Sequence, residues 1–282
     1  MTALSIQVEI NDYRLAATRW STERSTEPGA EPHPIVLLHA GVCDKRSWQR
    51  TVEQLDDLGP LIAYDRRGFG ESPVSPGPYR EIDDLWAVVD ATTDQPEPVW
   101  LVGSSMGGLV AVDAALTNPG RVAGLVLIAP AVSGAPEPEK LDPDTQALID
   151  QLRAARRAGD QEELAQVHAR LWLDGPTSTA NRVSGPARDL ALSMNEIILR
   201  NDVPDDAGST GIEAWPQLEQ IQVPVTVVCG ELDLPAILEE CEQIAARIPR
   251  AQHQVLPGVA HLPYLEQPEL VAGVIREALR NA

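Results

Sequence analysis

Two textures alternate along the chain. Short apolar runs of strand length, Ile35–His39, Leu61–Tyr64, Val99–Val102, Val122–Ala129 and Val223–Cys229, with a further strand at Gln252–Leu256, are separated by stretches with apolar residues at helical spacing. The helical stretches are Arg46–Leu58, with Trp48, Val52 and Leu55 inward, then Glu81–Thr93, Leu109–Leu116, Ala236–Ile248 and Pro268–Leu279. Runs that are apolar at successive positions suit strands buried on both faces, and their alternation with helices predicts a doubly wound, mostly parallel α/β sheet. At the start, Ile6, Val8 and Ile10 alternate with polar residues, Asn11-Asp12 interrupts, and Tyr13–Trp20 resumes an extended pattern, which predicts an antiparallel hairpin at one sheet edge.

The alternation breaks once. After Pro130, Asp142-Pro143 reads as an N-cap followed by proline at the first helical position, with Leu148, Ile149 and Leu152 at helical spacing and Gly159 as a stop. Asp160 with Glu163 starts a second helix bearing Leu164, Val167, Leu171 and Trp172, and a third runs from Pro186 to Arg200. No strand pattern occurs here. Residues 131–216 are therefore expected to form a helical lid inserted into one core, which residues 1–130 and 217–282 make up. Ser21–Pro34 and Asn201–Gly211 are polar and expected to be mobile surface loops.

Composition narrows the partners. The 282 residues carry 42 acidic against 22 basic side chains, a net charge of −20, which repels nucleic acid phosphates and anionic membranes. The longest apolar run, Val122–Val132, falls short of a membrane span, and the N-terminus has no signal-like segment, so a cytoplasmic protein is expected. Cys43, Cys229 and Cys241 are odd in number and lack metal-ligand spacing; they read as buried or free thiols, and neither metal nor cofactor is expected. A small molecule is the expected partner, and the oligomeric state is left open.

The chemistry centres on Gly103-Ser-Ser-Met-Gly107, a G-x-S-x-G pattern between an apolar strand and a helix, where small residues allow a turn tight enough to raise the hydroxyl of Ser105 from the sheet end. A serine needs a base to take its proton and an acid to orient that base. His261 and Asp233 each follow a strand, in the order serine, aspartate, histidine. His39 is a second candidate base, and Glu231 and the acids of the insertion are rivals to Asp233. Other chemistries fail on spacing: Gly68 and Gly70 are followed by Pro73 where a dinucleotide site needs a helix-packing glycine, and neither Lys45 nor Lys140 follows glycine as a P-loop requires.

Leu38-His39-Ala40-Gly41, Asp65–Ser72, Gly103–Gly108, Gly230–Asp233 and Gly258–His261, taken together and in this order, resemble the α/β-hydrolase superfamily, nearest its small esterases and enol-lactonases. The resemblance spans nearly the whole chain outside the insertion. It implies a serine hydrolase of a small ester or lactone, with Ser105 as nucleophile, His261 as base and Asp233 as orienting acid. It also implies an oxyanion hole from the backbone N–H groups of Met106 and Gly41. Ala40 departs from the glycine common in the family, which leaves Val42 as an alternative donor. Serine at 105 argues against epoxide hydrolases and haloalkane dehalogenases, which carry aspartate there. Carbon–carbon bond hydrolysis of a diketone on the same triad, and a scaffold without turnover, are the alternatives. The Asp65–Ser72 turn is expected to be structural, its arginines tied to carbonyls. Val42, Cys43, Trp48, Trp172 and Trp215 are candidate pocket walls, weighed against a core role.

Overall fold

A computed structural model describes residues 1–21, 33–75, 77–93, 97–138, 140–201, 203, 208 and 211–282. The strands are β1 (Thr2–Ile10), β2 (Tyr13–Ser21), β3 (Ile35–Leu38), β4 (Leu61–Tyr64), β5 (Val99–Ser104), β6 (Val122–Ile128), β7 (Val225–Gly230) and β8 (Ala251–Leu256). The helices are α1 (Gln49–Glu53), α2 (Glu81–Thr92), α3 (Met106–Thr117), α4 (Pro143–Ala158), α5 (Gln161–His168), α6 (Pro186–Asn201), α7 (Pro235–Arg247), α8 (Pro263–Glu266) and α9 (Pro268–Arg280).

All eight strands form one sheet in the order β1-β2-β4-β3-β5-β6-β7-β8. The β1–β2 hairpin pairs antiparallel with itself and with β4, and every pairing from β4 to β8 is parallel. This is the doubly wound sheet expected from the apolar runs. Both faces of the central strands are buried, and the side chains divide by parity: Val36, Leu38, Leu101, Leu125 and Leu127 join one apolar layer, with Leu85, Val110 and Ile244 of α2, α3 and α7. Ile35, Leu37, Trp100, Val102, Val126 and Ile128 join the other, with Trp48, Tyr264 and Ile275. Strand order reverses at β3, which has β4 on one side and β5 on the other, so the loops after β3 and β5 leave in diverging directions and open a crevice at the carboxyl edge.

Some boundaries differ from the sequence reading. The stretch Arg46–Leu58 is helical only through a 3₁₀ turn at Lys45–Trp48 and the short α1, because Asp44 caps the tight turn and the chain leaves the helix at Gln54. Between β6 and β7 no strand occurs among the described residues; α4, α5 and α6 fill the segment. The Asp142 side chain accepts from Asp144 and Thr145 N–H at the start of α4, and Gly159 ends it at φ 67°. Beyond α5, Ala169–Asp174 winds as a π-helix rather than continuing the α-helical spacing. The two loops expected to be mobile, Ser21–Pro34 and Asn201–Gly211, fall largely outside the described residues.

Candidate active site

Ser105 joins the end of β5 to the start of α3 with φ 50° and ψ −116°. Its N–H donates to Ile128 O at 3.0 Å, and its carbonyl accepts from Gly108 N–H at 2.8 Å and Ala131 N–H at 3.0 Å, so β6 and the chain beyond it hold the turn. Gly107 lets α3 approach β3: a Cβ there would run into the carbonyl oxygens of Leu38 and His39. The serine is half-buried at the crevice.

Asp233 follows β7 and His261 follows β8, and the neighbouring strands bring them together. His261 Nδ1 lies 2.8 Å from Asp233 Oδ2, with side-chain exposures of 3% and 0%. The other carboxylate oxygen, Oδ1, accepts from Leu234 N–H at 2.7 Å, which fixes the plane of the acid. A carboxylate so held favours the Nδ1–H tautomer and leaves the Nε2 lone pair for a proton. Trp172, in the π-helical segment, sets its ring 4.7 Å from the imidazole at 45°. The rival acids have other occupations. Glu231 Oε2 accepts from Gly258 N–H at 2.9 Å. Asp174 is buried and accepts from Asn181 N–H, Val183 N–H and Arg188.

Beyond β3, Cys43 N–H donates to Ala40 O at 3.1 Å and closes a turn with Gly41 and Val42 at its tip. A Cβ on Gly41 would stand 2.5 Å from Met106 Sδ, so the loop and the helix start expected to donate to an oxyanion touch. The competing base, His39, is spent elsewhere. Its Nδ1 donates to Ala40 O at 2.8 Å and its Nε2 accepts from Arg66 N–H at 3.1 Å. Burial, with Arg66 nearby, holds its basicity well below the usual histidine range. His39 thus braces the Ala40–Cys43 turn against the Asp65–Ser72 turn. In that second turn the arginines bind carboxylates, not the carbonyls expected: Arg66 pairs with Glu81 at 3.0 Å and Arg67 with Asp84 at 2.7 Å.

Of the five candidate pocket residues, two reach a cavity beside the site. Val42 and Trp172 line a niche of about 10 Å³ with His168, Asn195 and Leu262. The other three pack in or against the apolar layers. Trp48 is fully buried and stacks on Tyr264 at 4.2 Å, because the 3₁₀ turn points it into the core. Cys43 accepts from the Tyr264 hydroxyl at 3.7 Å, and burial pushes its thiol up to about 12. Trp215 packs on the opposite apolar layer under the guanidinium of Arg247, 5.1 Å from the ring. Helical spacing does not distinguish a core tryptophan from one at a site. Sequence reading missed Asn195, which donates to Val42 O at 3.3 Å and pairs with His168, and Arg182 and Glu266, which border the His261 loop. Nothing local marks these three.

Among the described residues no group of three His, Cys, Asp or Glu side chains is arranged to hold a metal ion, and no helix is long and apolar enough to cross a membrane. The Alpha/beta hydrolase family profile matches residues 35–274. A Bacillus subtilis (strain 168) protein provisionally named 2-succinyl-6-hydroxy-2,4-cyclohexadiene-1-carboxylate synthase is 29% identical over 264 residues, 88% of this chain and 90% of its own. The pimeloyl-[acyl-carrier protein] methyl ester esterase of Pectobacterium atrosepticum is 28% identical over 267 residues, 90% of this chain and 95% of its own. A thermophilic esterase from Thermogutta terrifontis superposes with a TM-score of 0.72 at 25% identity, over 100% of this chain and 99% of its own.

Proposed function

This chain belongs to the alpha/beta hydrolase family, and from that premise we propose that it cleaves a small carboxylic ester or lactone through an acyl-enzyme on Ser105, His261 and Asp233. As an enzyme it is an α/β-fold ester hydrolase. The observation that carries the finer reading is the buried 2.8 Å contact between His261 Nδ1 and Asp233 Oδ2, at the sheet edge where Ser105 is raised.

In this mechanism Ser105 Oγ attacks the carbonyl carbon while its proton passes to His261 Nε2. Asp233 stabilises the resulting imidazolium. The oxyanion accepts from the backbone N–H groups of Gly41 and Met106, the second of which opens α3 and adds the positive end of the helix dipole. Collapse of the tetrahedral species breaks the carbonyl carbon–oxygen bond, and the departing alkoxide takes the proton from Nε2. Water then loses a proton to Nε2 and attacks the acyl group. The carboxylic acid leaves and Ser105 recovers its proton.

The inserted segment, residues 131–216, is the proposed cover, and Trp172 its wall against the base. Conversion of Ser105→Ala tests the assignment: turnover of a panel of aryl esters, alkyl esters and lactones falls to background with unchanged circular dichroism, and fluorophosphonate labelling of the wild-type serine disappears. Wild-type rates in the folded variant refute it. Carbon–carbon cleavage of a diketone on the same three residues is the second reading, and diketones in the same panel decide between them.

A further inference from the structure

The inserted segment reaches the catalytic loops through more than Trp172. Gly175, at φ 89°, lies so close to the Asp233 loop that a Cβ there would collide with Leu232 O and come within 3.3 Å of Ala260 Cβ. Seven residues on, Arg182 spends its guanidinium in two directions. Within its own segment Nε donates to Asp174 O at 2.8 Å and Nη2 to Leu173 O at 2.8 Å. Across to the core Nη1 donates to Gly258 O at 3.1 Å, and Nη2 lies 2.6 Å from Glu266 Oε2. Glu266 in turn accepts from Ala260 N–H through Oε1 at 2.7 Å. Gly258 and Ala260 lie within the short loop that ends in His261, so one arginine and one glutamate grip it at two points.

We propose that Arg182 and Glu266 are positioning residues, a clamp through which the inserted segment holds the His261 loop in register with Asp233. The inference rests on the Ser105–His261–Asp233 reading. The physical case is geometric. The loop from Pro257 to His261 has no secondary structure of its own to set the imidazole, whereas proton transfer requires Nε2 within hydrogen-bond reach of the serine. A planar guanidinium with four partners on two segments supplies that restraint, and its fork cannot be reproduced by an ammonium. Glu266 is nearly buried, so its bond to Ala260 N–H is shielded from competing water. The segment is then part of the catalytic framework as well as a cover.

Arg182→Leu, Arg182→Lys and Glu266→Gln are assayed at pH 8 beside wild type and Ser105→Ala, with kcat expressed per mole of protein whose circular dichroism matches wild type. The expected result is a loss on the order of 10- to 100-fold in kcat for Arg182→Leu, with KM within about twofold, because the imidazole is displaced and substrate contacts are not. Arg182→Lys recovers part of that loss. The downfield proton resonance of the His261 Nδ1–H broadens or moves upfield in Arg182→Leu and Glu266→Gln, a change that a purely stabilising role would not produce. Folded variants with kcat within twofold of wild type, or an unchanged Nδ1–H resonance, overturn the clamp. Glu266→Gln is nearly isosteric and keeps the proposal testable if Arg182→Leu does not fold. An active Ser105→Ala overturns the triad itself, and the two failures are thereby distinguished.

Discussion

At Ser105 the backbone conformation of φ 50° and ψ −116° costs about 1–3 kcal/mol, and the bonds to Ile128, Gly108 and Ala131 are what maintain it. The same over-determination surrounds Asp233, whose two oxygens are engaged by His261 Nδ1 and Leu234 N–H. Asp233→Asn keeps the shape but presents an amide that favours the other imidazole tautomer. Turnover is expected to fall on the order of 10⁴-fold with little change in thermal stability. A loss below about tenfold in steady-state assays would assign the acid elsewhere. At this scale the sequence was informative, since Gly103, Ser105 and Gly107 announce the turn and strand-end positions select Asp233 and His261. Local pattern favoured His261 over His39, whose strand-end His-Ala-Gly reads as a loop scaffold. The structure agrees with that scaffold role, since both ring nitrogens of His39 are occupied, by Ala40 O and Arg66 N–H.

Among the elements, the inserted helices depart furthest from simple spacing. The π-helical turn at Ala169–Asp174 carries Trp172 onto the His261 ring, whereas Trp215 lies against the opposite face of the sheet beneath Arg247. Trp172→Ala is expected to shift relative kcat/KM between a short and a bulky acyl ester by about tenfold, the scale of ~1 to 3 kcal/mol that an apolar contact supplies. Trp215→Ala should leave that ranking unchanged while lowering Tm. Equal rankings for both variants would remove Trp172 from the pocket. Caps were legible here: Asp142 and Gly159 bound α4, and Asp160 starts α5. The short α8 was not, because the four residues Pro263–Glu266 carry too little periodicity to register.

For the whole molecule, burial of Glu266 between α8 and the inserted segment makes stability depend on pH. Its carboxyl is pushed up to about 7, chiefly by burial, against the pull of Ala260 N–H and Arg182. The folded state therefore retains a proton that the unfolded chain releases near its ordinary value of 4.5. The sign follows from linkage: the contribution is fully present below about 4.5 and is lost as pH rises through about 7. Across that window wild-type Tm should fall relative to Glu266→Gln, measured by calorimetry at matched ionic strength. Parallel Tm curves would show that Glu266 does not titrate there. The parity of apolar residues along Ile35–Leu38, Val99–Ser104 and Val122–Ile128 by itself determined a sheet covered on both faces, and the strand-end positions of Ser105, Asp233 and His261 determined the chemistry expected of it. These are short-range features, set by strand periodicity and turn sterics. Only the tertiary structure decided that Trp48 and Cys43 belong to the core, that Trp215 packs against it, and that Arg182, Asn195 and Glu266 meet the loops bearing Val42 and His261. Those outcomes depend on contacts across as many as 221 positions, between Cys43 and Tyr264, and no local pattern encodes which distant group a side chain will find.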